Sequence, residues 1–569
     1  MSKNKPKQPG QKPAANTVAS KTVRPPSQPA GFKIRYPLLW LALAALIVYF
    51  PSFSFGFTEL DDSIFIRDFH EYNEHIGNLI TSFQRGVFDA VKDTYYRPLF
   101  LDMMILNYQA SGMSEVGYHV VNVALHVFSV LLLYKLFRKL NVRDLHAFIL
   151  CLIFAIHPVL SEAVAWIPGR NDTLLAIFTL SFLICAIDYA ETGRSKWFGL
   201  SALFLLLAFF TKETAVFDAP IAFILLVVML KKNWLDKRNL IQYGIWIGCF
   251  VLWYAARSLA TLKSLPIAPG QMALDFIHRL PVIIQYIGKI FFPFNLSVFP
   301  IIEDTVYYYG IAAVVLLAVI IYLNKERDWR VIGSGLAIFI LFLLPVLFVP
   351  KSLNEQTFEH RLYLPIMGML LLLSQTVLFK NGLADKQLFI SFIVAAAILA
   401  GINYYHQKNF ANPVAFWTQA VESSPHSAYA TMMLAAREDD LATSYKLFHK
   451  AYQLNPKEKY LNFYYGVMLQ KQDSVPQSEQ YLLAEKNSSG YYECDFYLAR
   501  VAMERKDLSG AASYLRTYLT KDPTNKIANN NLLLLYLDTQ QRDSAVAQVK
   551  RMRFNGVDVP VQISQRLGL

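Results

Sequence analysis

The chain has 569 residues, 54% of them hydrophobic and only 17% charged. Soluble domains carry about 25% charged residues, so a purely soluble protein is excluded. With 32 Tyr and 41 Phe the chain is not intrinsically disordered, and four Cys, three of them inside apolar runs, exclude a disulfide scaffold. The net charge of +12 is concentrated at the start: residues 1–36 hold eight Lys or Arg and no acid, which is a basic tail rather than a nucleic-acid-binding face.

That tail, rich in Pro, Gln, Lys and Ala, has no apolar periodicity and is expected to be disordered. The run PLLWLALAALIVYFPSFSFGF from Pro37 has no small-residue cleavage site after it and reads as a retained first membrane span. A crossing helix needs roughly 20 apolar residues. Further runs lie near 118–137, 145–166, 173–190, 197–211, 215–230, 240–256, 306–323, 333–349, 363–380 and 387–405, giving about eleven spans. The segment 273–294 is apolar but contains His278, Arg279, Pro281 and Lys289. Treating it as re-entrant or interfacial puts the tail and the short basic loops on one side of the membrane, as cytoplasmic loops require, and places the C-terminus on the other.

From about Gln407 the sequence turns to amphipathic helical segments of ordinary charge. Prolines follow helical runs at Pro425, Pro456 and Pro523, spaced by 31 and 67 residues, about one and two units of a 34-residue period. AYQLNP from Ala451 is similar to the end of a tetratricopeptide unit, and three to four such helix-turn-helix units fit; a plain helical bundle is the alternative. The expected organisation is a cytoplasmic tail (1–36), a membrane domain (37–406) and an extracytoplasmic repeat domain (407–569), all of it α-helical.

Charged residues gather at four outward junctions. The loop after the first span reads TELDDSIFIRD, with Glu59, Asp61, Asp62 and Asp68; adjacent carboxylates repel, so one can serve as a base, or both can hold a cation, although a solvated helix cap has the same appearance. The loop ends in YYRPL, where Arg97 could meet a phosphate, an acid or a lipid headgroup. FAIHPVLSEAVAWIPGRNDTLL supplies His157, Glu162, Arg170 and Asp172, with His157 before Pro158 also fitting a helix-end cap. TKETAVFD adds Lys212 and Glu213, and NEQTFEHRLYLP adds Glu359, His360 and Arg361. So many polar groups on one face require partners or a wet cavity. His119 and His126, seven residues apart on one span, either line that cavity or are satisfied structural histidines. No zinc-ligand spacing and no glycine-rich phosphate loop is present.

In this order, DD after the first span, YRPL, GYHVVNVALH at Gly117 to His126, HPVLSEAV with GRND, the KE pair and HRLYLP resemble the transmembrane and tetratricopeptide-repeat O-mannosyltransferases, and more broadly the C-type glycosyltransferases of the protein O-mannosyltransferase kind. The resemblance implies a C-type glycosyltransferase fold and transfer of mannose or a similar hexose from a polyprenyl-phosphate carrier to a hydroxyl acceptor, Ser or Thr of exported proteins, on the extracytoplasmic face. It implies that Asp61 or Asp62 positions or deprotonates the hydroxyl; in such a reaction Arg97, Arg170, Lys212 or Arg361 would meet the donor phosphate, and the junction residues His119, His157, Glu162, Asp172, Glu213, Glu359 and His360 are the candidates to line the cavity. Relatives carry an acid directly before the Arg of the last motif, a position held here by His360. The basic tail and few repeats resemble a bacterial member, which implies the inner membrane with repeats in the periplasm or outside; in a eukaryote the endoplasmic reticulum membrane follows instead. Paired carboxylates permit a divalent cation, whereas a mannosyltransferase-like route needs none. A lipid-linked glycan ligase or polymerase and a non-catalytic scaffold recruiting partners through its repeats are the alternatives.

Overall fold

The computed structural model describes residues 34–88, 95–261, 269–349, 356–380 and 384–568. The basic tail therefore lies, except for its last three residues, outside the described residues. Among them all regular structure is helical, apart from one isolated bridge pairing Ile301 with Gln356.

Six helical stretches are long and apolar enough to cross a membrane: Pro37–Ser54, Glu115–Lys139, Ile167–Thr192, Lys237–Ala260, Trp329–Leu347 and Asp385–Phe410. The remaining five apolar runs are helical in a less regular way. Asp144–Ile156 and Pro158–Ala165 form a pair bent by 51°. Ser195–Thr211 and Tyr308–Tyr322 are shorter single helices. The run near 215–230 passes from a 3₁₀ turn through Asp218–Phe223 into a π-helical end, and the run near 363–380 holds only Pro365–Leu373 and Val377–Lys380. The segment 273–294 breaks into Pro269–Arg279 and Val282–Phe291 at Leu280 and Pro281. The chain is an integral membrane protein, and the outer helices present Leu39, Trp40, Ile47, Ile247, Val251 and Leu252 on exposed faces, as a lipid-facing surface requires.

Ile167–Thr192 runs through the centre of the bundle and packs against Ser195–Thr211 and Glu115–Lys139. Without a hydrophobic force between helices in lipid, close packing depends on small residues. Gly335 and Gly368 show this where Trp329–Leu347 crosses Pro365–Leu373: a Cβ on Gly368 would lie 2.2 Å from the Gly335 carbonyl oxygen. The 51° bend has a local cause. Pro158 disfavours helical backbone at the residue before it, and His157 is extended, at φ −65° and ψ 125°. Its Nδ1 accepts from the Val159 amide (3.2 Å) and its Nε2 donates to the Ile290 carbonyl (2.8 Å). His157 is a helix-end cap.

Beyond Gln407, ten helices from Pro413–Ser423 to Val561–Leu567 follow one another, with neighbours in sequence packed together. Asn412, Ser427, Asp440, Asp507 and Asn525 cap their N-termini by side chain. Pro425, Pro456 and Pro523 fall between helices. This array docks on one end of the bundle. Ser424 donates to the Phe299 carbonyl (2.8 Å), the Val298 amide donates to Gln419 (2.9 Å), and Phe55, Trp166, Phe299, Phe358 and Trp417 share one apolar cluster.

Candidate active site: a charged cavity at one end of the bundle

The turn after Pro37–Ser54 is strained and held. Glu59 has a φ of 55°, which is uncommon for a residue with a side chain. Its carboxylate accepts from Arg67 (3.0 Å) and from Arg437 of the C-terminal array (3.1 Å). The Gly56 amide donates to the Ala411 carbonyl (2.8 Å). The two following acids then face opposite ways. Asp62 is buried and turns back, accepting from the Thr58 amide (2.6 Å), the Thr58 hydroxyl (3.0 Å) and the Ser63 amide (3.0 Å). Asp61 lines a cavity of about 380 Å³, and among the described residues no group donates to its carboxyl. Burial, with Asp62 beside it, pushes that carboxyl up to about 7, and Arg97 offsets only part of the rise.

Seven charged or titratable side chains singled out from the sequence meet on this cavity: Asp61, Arg97, Asp172, Lys212, Glu213, His360 and Arg361. Arg97, the residue before the helix Pro98–Ser111, donates Nε to Glu213 (2.9 Å) and lies over the Tyr95 ring. Against the upward push of burial, Arg97 holds the Glu213 carboxyl below its ordinary value. With its amide oxygen turned to Arg97, Asn171 accepts from Nη1 (2.7 Å) and donates to the Thr211 carbonyl (2.9 Å). Lys212 donates to both oxygens of Asp172 (2.7 and 2.8 Å). Arg361 differs from both: it lies over Phe358 and gives one Nη1 bond to the Gln356 carbonyl (2.8 Å), with no carboxylate partner among the described residues. Among the described residues the cavity thus holds two ion pairs, Arg97 with Glu213 and Lys212 with Asp172, beside the Asp61 carboxyl, to which no group donates, and the Arg361 guanidinium, which meets no carboxylate.

Behind Arg361 lies a buried ionic frame. Lys289, 1% exposed, donates to Glu359, 0% exposed (2.6 Å); Glu359 also accepts from the Ser297 amide (2.8 Å), and His406 stands 3.6 Å from its second oxygen. Glu162 accepts the His360 amide (2.8 Å). His360 sits against Trp166 and Phe358 with its Nδ1 3.3 Å from Glu162, and burial pushes its proton affinity well below the ordinary value. Within EHRLYLP, Glu359 faces the frame and His360 faces the cavity.

Several expectations are corrected. Arg170 does not reach the cavity: it is 0% exposed, and its guanidinium donates to Asn122, Asn107 and the Tyr118 carbonyl (each 2.9 Å), tying three helices together. Asp62 is committed to its own turn. His119 is buried against Phe55, His126 bonds Tyr363 (2.7 Å) and the Ala155 carbonyl (3.0 Å), and His157 is a cap; none lines the cavity. Glu162 and Glu359 stand behind it. Sequence reasoning missed Asn171 and Arg257, which line the cavity, and Asn171 was legible only as part of GRND. Among the described residues no group of three or more His, Cys, Asp or Glu is arranged to hold a metal ion.

Fold and site together define a polytopic helical membrane protein whose bundle opens at one end into a charged, partly apolar cavity. Residues 98–255 match the family model described as dolichyl-phosphate-mannose-protein mannosyltransferase. A protein O-mannosyl-transferase of Caenorhabditis elegans is 35% identical over 141 residues, 24% of this chain and 20% of that protein. The mouse protein O-mannosyl-transferase TMTC1 is 36% identical over 143 residues, 23% of this chain and 15% of that protein. The chain is O-mannosyltransferase-like over this region, and the match spans a fifth or less of these relatives' lengths. Among solved structures, ArnT from Cupriavidus metallidurans bound to undecaprenyl phosphate is 14% identical, with a TM-score of 0.38 over 77% of this chain and 78% of that one.

Proposed function

We propose that the protein transfers a single hexose, mannose or one similar, from a polyprenyl-phosphate carrier to a hydroxyl of an exported protein, at the bundle end that carries Asp61. The observation that carries this reading is the presence, in one cavity, of the Asp61 carboxyl without a donor and the Arg361 guanidinium without an acid among the described residues. In the reaction the Asp61 carboxylate takes the proton of the acceptor hydroxyl, the hydroxyl oxygen bonds to the anomeric carbon, and the bond from that carbon to the phosphate oxygen breaks. Negative charge grows on the departing phosphate, and Arg361, aided by the Arg97 and Lys212 pairs, stabilises it there. The raised affinity of Asp61 for protons makes it a stronger base than a surface carboxylate once ionised. Mannosyltransferase-like relatives and the matched family model support the reaction class.

In the same reading the helices from 407 onward form tetratricopeptide-like repeats on the extracytoplasmic side of a bacterial inner membrane and order the acceptor there. The test is transfer by purified protein in lipid from polyprenyl-phosphate mannose, and then from other lipid-linked hexoses, to a pool of exported proteins, read as a hexose mass increment on Ser or Thr. Absence of transfer from every such donor contradicts the proposal.

A further inference from the structure

The strained turn faces two cavities. Asp61 lines the bundle cavity, while Glu59, two residues earlier, lines a separate groove of about 320 Å³ whose other walls belong to the C-terminal array. The Cα atoms of Glu59 and Asp61 are at most about 7 Å apart, the length of two extended residues. The groove crosses Ala428–Ala435, Leu461–Lys471 and Glu493–Glu504, every second helix of the array, through Ala435, Val467 and Tyr497. Tyr464 and Lys471 lie on its middle helix.

Its chemistry is that of a polypeptide cradle. Val467, Met468 and Phe463 give an apolar floor, and partly exposed Tyr464 and Tyr497 add rigid rings that carry hydroxyls. Its charges are mixed, Glu59 and Glu438 against Arg437 and Lys471, without the basic track a nucleic acid demands. The Ala428–Ala435 helix approaches the bundle cavity: half-buried Tyr429 stacks on Phe299 in the apolar cluster that also holds Trp166 and Phe358, two residues that line the cavity with Asp61.

We propose that this groove binds the acceptor protein as an extended segment and delivers its hydroxyl around the Glu59 turn to Asp61. An extended chain advances about 3.3 Å per residue, so two to three residues of acceptor cover the at most about 7 Å between the wall residues Glu59 and Asp61. The proposal rests on the reading that the acceptor is a protein hydroxyl, and peptide binding separates the two.

The experiment is fluorescence anisotropy of a fluorescein-labelled twelve-residue Ser/Thr-containing peptide against the full chain in lipid nanodiscs, alongside the peptide's KM and kcat for sugar transfer. Val467→Arg fills the groove and is expected to weaken binding about tenfold or more and to raise KM by a similar factor with kcat unchanged. Tyr464→Phe with Tyr497→Phe, which preserves packing and removes only the hydroxyls, is expected to weaken binding about threefold and decides the matter if Val467→Arg unfolds. Peptide that fails to bind wild type, or binds wild type and groove variants equally, overturns the proposal. Groove-dependent binding without transfer from any lipid-linked hexose upholds the groove as a polypeptide site and overturns the proposed function and, with it, delivery to Asp61.

Discussion

The two ends of the helix bundle carry similar charged residue types and use them differently. At the end away from the cavity, Lys139 meets Asp188 (2.5 Å), Arg143 meets Asp385 and Arg330 meets Asp328 (2.6 Å), each cation satisfied by a carboxylate at a partly solvated helix end. At the cavity end two pairs are equally complete, but Asp61 and Arg361 face the same space with no such partner among the described residues. Charge at a helix end therefore does not mark a site. Charge withheld from a partner, inside a cavity, does.

Substitutions sharpen that contrast. The largest effect is expected from Asp61→Asn, a loss of about 10²- to 10⁴-fold in transfer rate, whereas Asp62→Asn lowers the melting temperature through its lost bonds to Thr58; a steady-state assay beside thermal unfolding separates them. Next, Arg361→Ala should lower kcat by about 10²- to 10³-fold, with Arg361→Lys recovering part of it, while Arg170→Lys disturbs stability more than turnover. Third, Lys289→Met leaves the Glu359 carboxylate buried without its lysine, at a cost of about 3–5 kcal/mol, and adding Glu359→Gln should return much of it in a double-mutant cycle of unfolding. Smallest is Arg143→Ala at the opposite end, worth about 0–1 kcal/mol because that pair is solvent-screened. A large loss there would break the comparison.

Of the eleven apolar runs, six are helices long enough to span, as many as seven with the bent pair, and these were legible because span length is set by the bilayer; the gathering of Arg97, Asp172, Lys212, Glu213 and His360 followed from their junction positions. What the sequence hid was orientation. Asp61 and Asp62 are adjacent and chemically alike, and the left-handed φ at Glu59 decides which one faces the cavity. Arg170 and Arg361 read alike too, yet Arg170 finds its acceptors in Asn107 and Asn122, 63 and 48 residues away in the chain. Lys289 and Glu359, 70 residues apart, are joined only by the fold. Pairings over such separations leave no local periodicity to read.

The central claim is that an Asp61 carboxylate aimed into the cavity is the base. A pH profile of kcat/KM for transfer, from about pH 5 to about pH 9, tests it most directly. The base acts only when deprotonated, and its affinity for protons is raised, so the rate should climb about tenfold per pH unit below pH 7 and level off above it. A profile that is flat across that range, or that falls as pH rises through 7, contradicts the assignment.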